Sequence, residues 1–370
     1  MNRLQVRPTS VAARLKAGAL IASVTVLSVA AAACGGSSAA GTGGAASSGP
    51  CKPADSPVIT LAAYSNPYDA YGKLTSTFAA DWKDKHDQSL IFQMSFGGST
   101  TQAQNIVNGF PADVYASSTA TDVETVQNAK LITSDWQNAP DNSIVATSVV
   151  GFMVRPGNPK GIHNWSDLTK PGIQILTPDP AQSGGARWNI VAAYGAAMRG
   201  QVPGYKANDP ADAERLLEGI FKNVTVLDKS ANDSFKNFES GNGDVAITYE
   251  NQALAGIAAG SEDQFVIPPS TVSIQTPTVV VDKNADEHCV APIADAFVKY
   301  LHTPDAQDVF QSVGYQRPID VAAAAKGSDG YPPIHDLFTV DDLGGWDKIV
   351  NSTVFGQDGA FTKAFQAAKG

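Results

Sequence analysis

The chain has little of what metal, redox or nucleophilic chemistry needs. It holds three cysteines, five histidines and four methionines in 370 residues. His86, His163, His288, His302 and His335 are scattered, with no His-x-x-x-His or comparable ligand spacing, so neither a metal centre nor a cofactor is expected. Gly-x-Ser-x-Gly is absent, which removes the usual nucleophile elbow. Basic residues are few, 26 against 36 acidic ones. Without residues 1–33, which carry four of the basic residues and no acidic one, the formal charge falls from −10 to −14. Such a surface does not bind nucleic acid non-specifically, and it does not draw in anions by its overall field. No apolar run beyond residue 33 is long enough to span a bilayer.

What is present begins at the N-terminus. Arg3, Arg7, Arg14 and Lys16 precede an uncharged stretch from Ala17 to Ala33, and Cys34 follows with Gly-Gly-Ser-Ser. A basic segment, an apolar segment and small residues before a cysteine resemble a bacterial lipobox, so residues 1–33 read as a signal peptide and Cys34 as the lipidated first residue. The other readings are an ordinary signal cut after Ala33 and an uncut anchor. Acyl chains on Cys34 would hold the protein on the outer face of the membrane. Residues 35–57 carry no large apolar side chain and read as a tether from the lipidated cysteine. The rest is too long for one core of ordinary size and is expected to form two lobes. Cys51 and Cys289, in an oxidising compartment, read as a disulfide, the alternative being two separate thiols.

Along the folded part, strand patterns alternate with helical ones: Val58–Ala63, then Ala70–Trp82; Leu90–Met94, then a helix to about Asn108; Pro111–Tyr115, then a helix from about Thr121. Alternation at this spacing predicts an α/β fold with parallel sheets. Ile144–Val154 is a longer apolar run suited to a strand crossing between lobes, and Thr278–Val281 reads as the return strand. Three strand-to-helix junctions carry small or polar residues: Gly97-Gly98-Ser99, Ser183-Gly184-Gly185 and Ser230-Ala231-Asn232. The first N–H groups of a helix have no intrahelical acceptor and sit at the positive end of its dipole, so such junctions suit an anion. Ligands of open α/β sheets lie outside the carboxyl ends of the strands, where these junctions fall.

The segment Asp179-Pro180-Ala181-Gln182-Ser183-Gly184-Gly185-Ala186-Arg187 resembles a signature of the sulfate- and thiosulfate-binding proteins of bacterial ABC importers. Phe96-Gly97-Gly98-Ser99 with Gln102, Gly109 to Val114, Gly243 to Ala253, Gln316-Arg317-Pro318 and Asp342 to Trp346 extend the similarity in the family's order from about Val58 to Phe365. The resemblance implies a two-lobed, type II periplasmic-binding-protein fold. The first lobe would comprise residues 58–148 and 268–370 with the C-terminal helices, and the second residues 149–267. It also implies a monomer that closes on a dehydrated sulfate or thiosulfate and presents it to a membrane permease. Carried over by position, Ser183 with the N–H groups of Gly184 and Gly185 would bind from the second lobe, Ser99 and Ser65 from the first, and Ala231 from the third helix start. Tyr249 stands where many relatives have tryptophan, and a phenol accepts as well as donates. Arg187 would sit behind the loop.

The same resemblance implies discrimination, since sulfate only accepts hydrogen bonds while hydrogen phosphate brings a proton that a donor-only site leaves unpaired. Asn232-Asp233 replaces the Arg-Gly of many relatives, and the Asp233 carboxylate is expected to face solvent. Two other readings stand beside this one. A receptor for a different tetrahedral oxyanion, phosphate or molybdate, is the nearer; a surface serine hydrolase built on Ser183 is the more distant. Trp165, Trp188 and Trp346 are expected to be core residues and not the walls of a sugar cleft.

Overall fold

The computed structural model describes residue 51, residues 54–328 and residues 330–369. The signal, lipidation at Cys34 and most of the tether lie outside the described residues.

The chain opens with β1 (Val58–Tyr64), α1 (Tyr68–His86), β2 (Ile91–Gly97), α2 (Ser99–Val107), β3 (Val114–Ala116) and α3 (Ala120–Asn128). The long strand β4 (Ile144–Val154) leads to β5 (Ile175–Pro178), α4 (Gly184–Met198), α5 (Pro210–Asn223), β6 (Val224–Asp228), α6 (Ala231–Glu239), β7 (Val245–Tyr249), α7 (Glu250–Ala258) and β8 (Gln264–Val266). A second long strand, β9 (Ser270–Val280), is followed by α8 (Asp282–Glu287), α9 (Ala291–Tyr300), α10 (Pro304–Ser312), α11 (Val321–Lys326), β10 (Asp336–Phe338), α12 (Gly345–Lys348) and α13 (Ala360–Lys369).

The strands are ordered β2-β1-β3-β9-β4-β7-β5-β6. The trio β2, β1 and β3 at one end is parallel, and so is β7, β5 and β6 at the other. Between them β4 and β9 run antiparallel to each other and to their outer neighbours. One strand serves both ends: Ile144–Val149 of β4 pairs with β9, and Val150–Val154 pairs with β7. All of β4 is buried, which accounts for an apolar run without alternation.

The two largest buried cores flank this central pair. Leu61, Tyr71, Leu74, Phe78, Phe297 and Phe310 fill the first; Trp165, Ile175, Trp188, Leu216, Phe221 and Ile247 fill the second. The C-terminal residues, expected with the first lobe, pack instead on the second. Phe338, Val340, Ile349, Val354, Ala360 and Ala364 join the core around Trp188. The Phe361 and Phe365 rings lie 5.0 and 5.6 Å from that of Phe221. The apolar stripe of α13 needs a partner, and α5, with Leu217, Ile220 and Phe221 along one side, supplies it. α9 and α10 stay on the first core through Phe297, Leu301 and Phe310.

A disulfide joins Cys51 to Cys289, with Cα atoms 5.2 Å apart. Among the described residues no helix is long and apolar enough to cross a membrane.

Candidate functional site

Strand ends and helix starts from both cores meet around one small chamber. Tyr64, Ser65 and Asn66 come from the β1–α1 junction, Gly97 and Ser99 from β2–α2, and Ser118 from β3–α3. Ser183 and Gly185 come from β5–α4, Ala231 from β6–α6, and Tyr249 from β7–α7. Free space amounts to about 10 Å³ for the centre of a water-sized sphere. That is room for about one water-sized molecule. No charged side chain and no histidine lines it.

Serine usually caps the helix it precedes, as Ser230 does by accepting from the Asp233 N–H. Ser183 does not: it holds the extended conformation of a cap, yet its hydroxyl accepts nothing from α4. Gly98, before α2, has no side chain to cap with. Among the described residues the N–H groups of Ser99, Gly184, Gly185 and Ala231 therefore have no acceptor in the protein. The Asn66 side-chain amide is a further unpaired donor, since its Nδ2 is buried without a partner while its Oδ1 accepts from Ser65 Oγ at 3.1 Å. The backbone donors of Ser99, Gly185 and Ala231, one amide and one free serine hydroxyl thus converge on a space without a counter-charge, with the Gly184 N–H one step behind. Unpaired buried donors are costly, and helix N-termini supply the field that makes an anion their natural acceptor.

The remaining polar wall is a pair of hydroxyls. Ser118 Oγ and Tyr249 OH lie 2.8 Å apart, and either can donate to the other. Burial pushes the Tyr249 phenol well above its ordinary value, against a smaller opposing effect of the Ser118 hydrogen bond. Burial also pushes Tyr64 up, to about 12. Both phenols keep their protons at any physiological pH.

The two sides of the chamber are held together directly. The Thr101 N–H donates to Gln182 O at 3.2 Å, the Asn232 N–H to Ser65 Oγ at 3.3 Å, and Trp188 Nε1 to Ser118 O at 2.6 Å. Arg187 donates from α4 to Asp122 Oδ1 at 3.3 Å, to Thr121 Oγ1 and to Pro180 O. It stands behind the loop and does not line the chamber.

Of the residues assigned from sequence, Ser65, Ser99, Ser183, Gly185, Ala231 and Tyr249 line the chamber. Gly184 sits one step back, where a Cβ would come within 3.1 Å of Ser118 and Asp122. The Ser65 hydroxyl is engaged with Asn232 and Asn66, so this residue faces the chamber without a free side-chain donor. Asp233 is exposed and accepts from the Ser230 hydroxyl at 2.8 Å. Trp165 and Trp188 are fully buried, and Trp346 meets Trp188 edge-on at 4.8 Å. Asn66 and Ser118 were missed, although both follow strands whose carboxyl ends point to the same place as the junctions that were read.

Two lobes joined by two shared strands, with a donor-lined chamber at their meeting point, define the class of type II periplasmic binding proteins. The bacterial extracellular solute-binding protein family matches residues 59–316. The sulfate-binding protein of Synechococcus elongatus is 37% identical over 353 residues, 95% of this chain and 96% of that protein. That of Salmonella typhimurium is 39% identical over 77% of this chain and 86% of its own length. The thiosulfate-binding protein of Pseudomonas aeruginosa is 31% identical over 84% and 93%. Among solved structures, the sulfate-binding protein SubI of Mycobacterium tuberculosis superposes with a TM-score of 0.72 at 33% identity, covering 80% of this chain and 99% of that one. The chain belongs to the bacterial extracellular solute-binding protein family.

Proposed function

We propose that this protein captures sulfate, or thiosulfate, outside the cytoplasm and delivers it to the permease of an ABC importer. It acts as a monomeric receptor without enzymatic activity, anchored through a lipidated Cys34. The observation that carries the reading is the convergence of unpaired helix N-terminal N–H groups on a chamber lined by no charged side chain. Hydrogen bonds to a charged group contribute roughly 1.5 to 3 kcal/mol each. The donors of this chamber together give on the order of 10 kcal/mol or more gross, against desolvation and lost freedom. Micromolar or tighter binding, about −8 kcal/mol, follows. The relatives named for sulfate and thiosulfate agree with this choice among anions.

In this reading residues 58–148 with α8 to α11 form one lobe. Residues 149–267 with the C-terminal segment form the other. Sulfate bridges them and holds the closed form, because only there do both donor sets reach it. The test is isothermal titration of the unlipidated Cys34→Ser chain, refolded to strip bound anion, with sulfate and thiosulfate. One-to-one binding at micromolar or tighter Kd is expected. Absence of heat with both anions, in a protein that unfolds cooperatively, would remove the function and leave the fold.

A further inference from the structure

Deepening the sulfate reading, on which it rests, we infer that the Ser118–Tyr249 hydroxyl pair lets this receptor also hold a tetrahedral oxyanion that carries a proton, hydrogen phosphate being the simplest. The backbone N–H groups and the Asn66 amide can only donate. Asn66 Oδ1, the one carbonyl oxygen of a lining side chain, already takes the Ser65 proton. A lone hydroxyl such as Ser183 can also accept from a ligand O–H, but its own proton then has no fixed partner beside it. Two hydroxyls 2.8 Å apart behave differently. When Tyr249 donates to Ser118, the Ser118 proton points to one ligand oxygen while the phenol oxygen keeps a lone pair for a ligand O–H. When the direction reverses, the phenol proton goes to the ligand and Ser118 holds the free lone pair. The pair therefore supplies one donor and one acceptor to whatever sits beside it, and a fully ionised ligand uses the donor alone.

The carboxylates near the chamber are placed differently from this pair. The Asp233 carboxylate is exposed and holds the Ser230 hydroxyl. Asp122, the carboxylate whose charge is felt at Tyr249, sits behind Gly184 and does not line the chamber; its Oδ1 is paired with Arg187 and its Oδ2 is buried without a partner. Ser118 is fixed in place by its own backbone: its N–H donates to Ser99 Oγ at 3.0 Å and its carbonyl accepts from Trp188. The hydroxyl is left to Tyr249 and the chamber.

The experiment compares two ligand pairs matched in shape and differing in one proton, sulfate with hydrogen phosphate and selenate with hydrogen arsenate. Titrations use the anion-free Cys34→Ser chain at one slightly alkaline pH. The protonated member of each pair is expected to bind within about 100-fold of its partner. Tyr249→Phe and Ser118→Ala should each widen that ratio at least tenfold while sulfate affinity drops far less. Melting temperatures and retained sulfate binding establish that the variants are folded. Tight sulfate binding with phosphate and arsenate weaker by more than about 10,000-fold would overturn the inference and leave the sulfate reading standing. An unchanged ratio in both variants would also overturn it. No binding of sulfate or selenate to the unsubstituted chain would remove both.

Discussion

Gly98→Ala is expected to weaken sulfate binding at least 100-fold while leaving the ligand-free protein as stable as before. Gly98 has φ −61° and ψ 132°, a conformation alanine adopts without strain. The obstacle lies across the chamber: an added Cβ would stand 2.3 Å from Gln182 O and 2.9 Å from Lys229 O. Both are backbone atoms of the opposite side, at the β5–α4 and β6–α6 junctions, so neither can swing aside. The methyl group therefore acts on the closed arrangement alone, and the donors of Ser99 and Asn66 no longer reach an anion seated on α4. A hundredfold loss corresponds to about 2.7 kcal/mol. Titration gives the affinity, and thermal unfolding with and without saturating sulfate gives the linkage. In the variant the sulfate-induced rise in Tm should nearly vanish. Gly72→Ala in α1, with nothing within 4 Å of the added atom, is the matching control and should leave affinity untouched. Wild-type affinity in Gly98→Ala would mean that the two sides need not approach this closely to bind.

Arg317→Met should cost about 3 to 5 kcal/mol of stability, because it strands a buried carboxylate. Arg317 and Glu250 are each 1% exposed at the side chain. The guanidinium donates from Nη2 to Glu250 Oε1 at 2.7 Å, from Nη1 to Ala324 O at 2.6 Å and from Nη2 to Pro332 O at 2.9 Å. Its backbone N–H donates to Thr147 O in β4 at 3.0 Å. One side chain thus ties the segment after α10 and the end of α11 to the first residue of α7. For a domain of this size the expected fall in Tm is on the order of 10 °C. Adding Glu250→Leu should restore part of it, since removing both charges abolishes the desolvation that removing one exposes. A loss under about 1 kcal/mol in the single variant would show that water reaches Glu250 and that the pair is not the tie it looks to be. Glu250 follows Tyr249 directly, so the double variant also shows whether the phenol keeps its place when the charges are gone: its sulfate affinity should stay within tenfold.

Much of this architecture can be read along the chain because the junctions speak locally. Glycine or serine between an apolar run and a helical pattern marks a helix start, and α2, α4 and α6 begin where that pattern puts them. The β3–α3 junction is of the same kind, but β3 is only three residues long and Ser117-Ser118-Thr119 reads as any polar turn. Nothing local says that Trp188, seventy positions away, will hold the Ser118 carbonyl. The start of β9 was missed for another reason. Ser270-Thr271-Val272 is polar at its start yet buried, because Thr271 donates to Val150 O and Ser270 to Asp336. Burial with satisfied hydroxyls leaves no hydrophobic signature. The placement of the C-terminal segment is a tertiary choice between two apolar surfaces, and order along the chain does not rank them.

Trp188 turns this architecture into an optical reporter. Its ring is packed in the core around α4 and edge-on to Trp346, while its indole proton is lent to a carbonyl on the opposite side of the chamber. Any parting of the two sides returns that proton to water without unfolding the ring's surroundings. The emission of one tryptophan, of five in the chain, should then move with occupancy of the chamber, and Trp188→Phe should silence the change. A receptor with an indole bridging its two halves carries its own fluorescent readout.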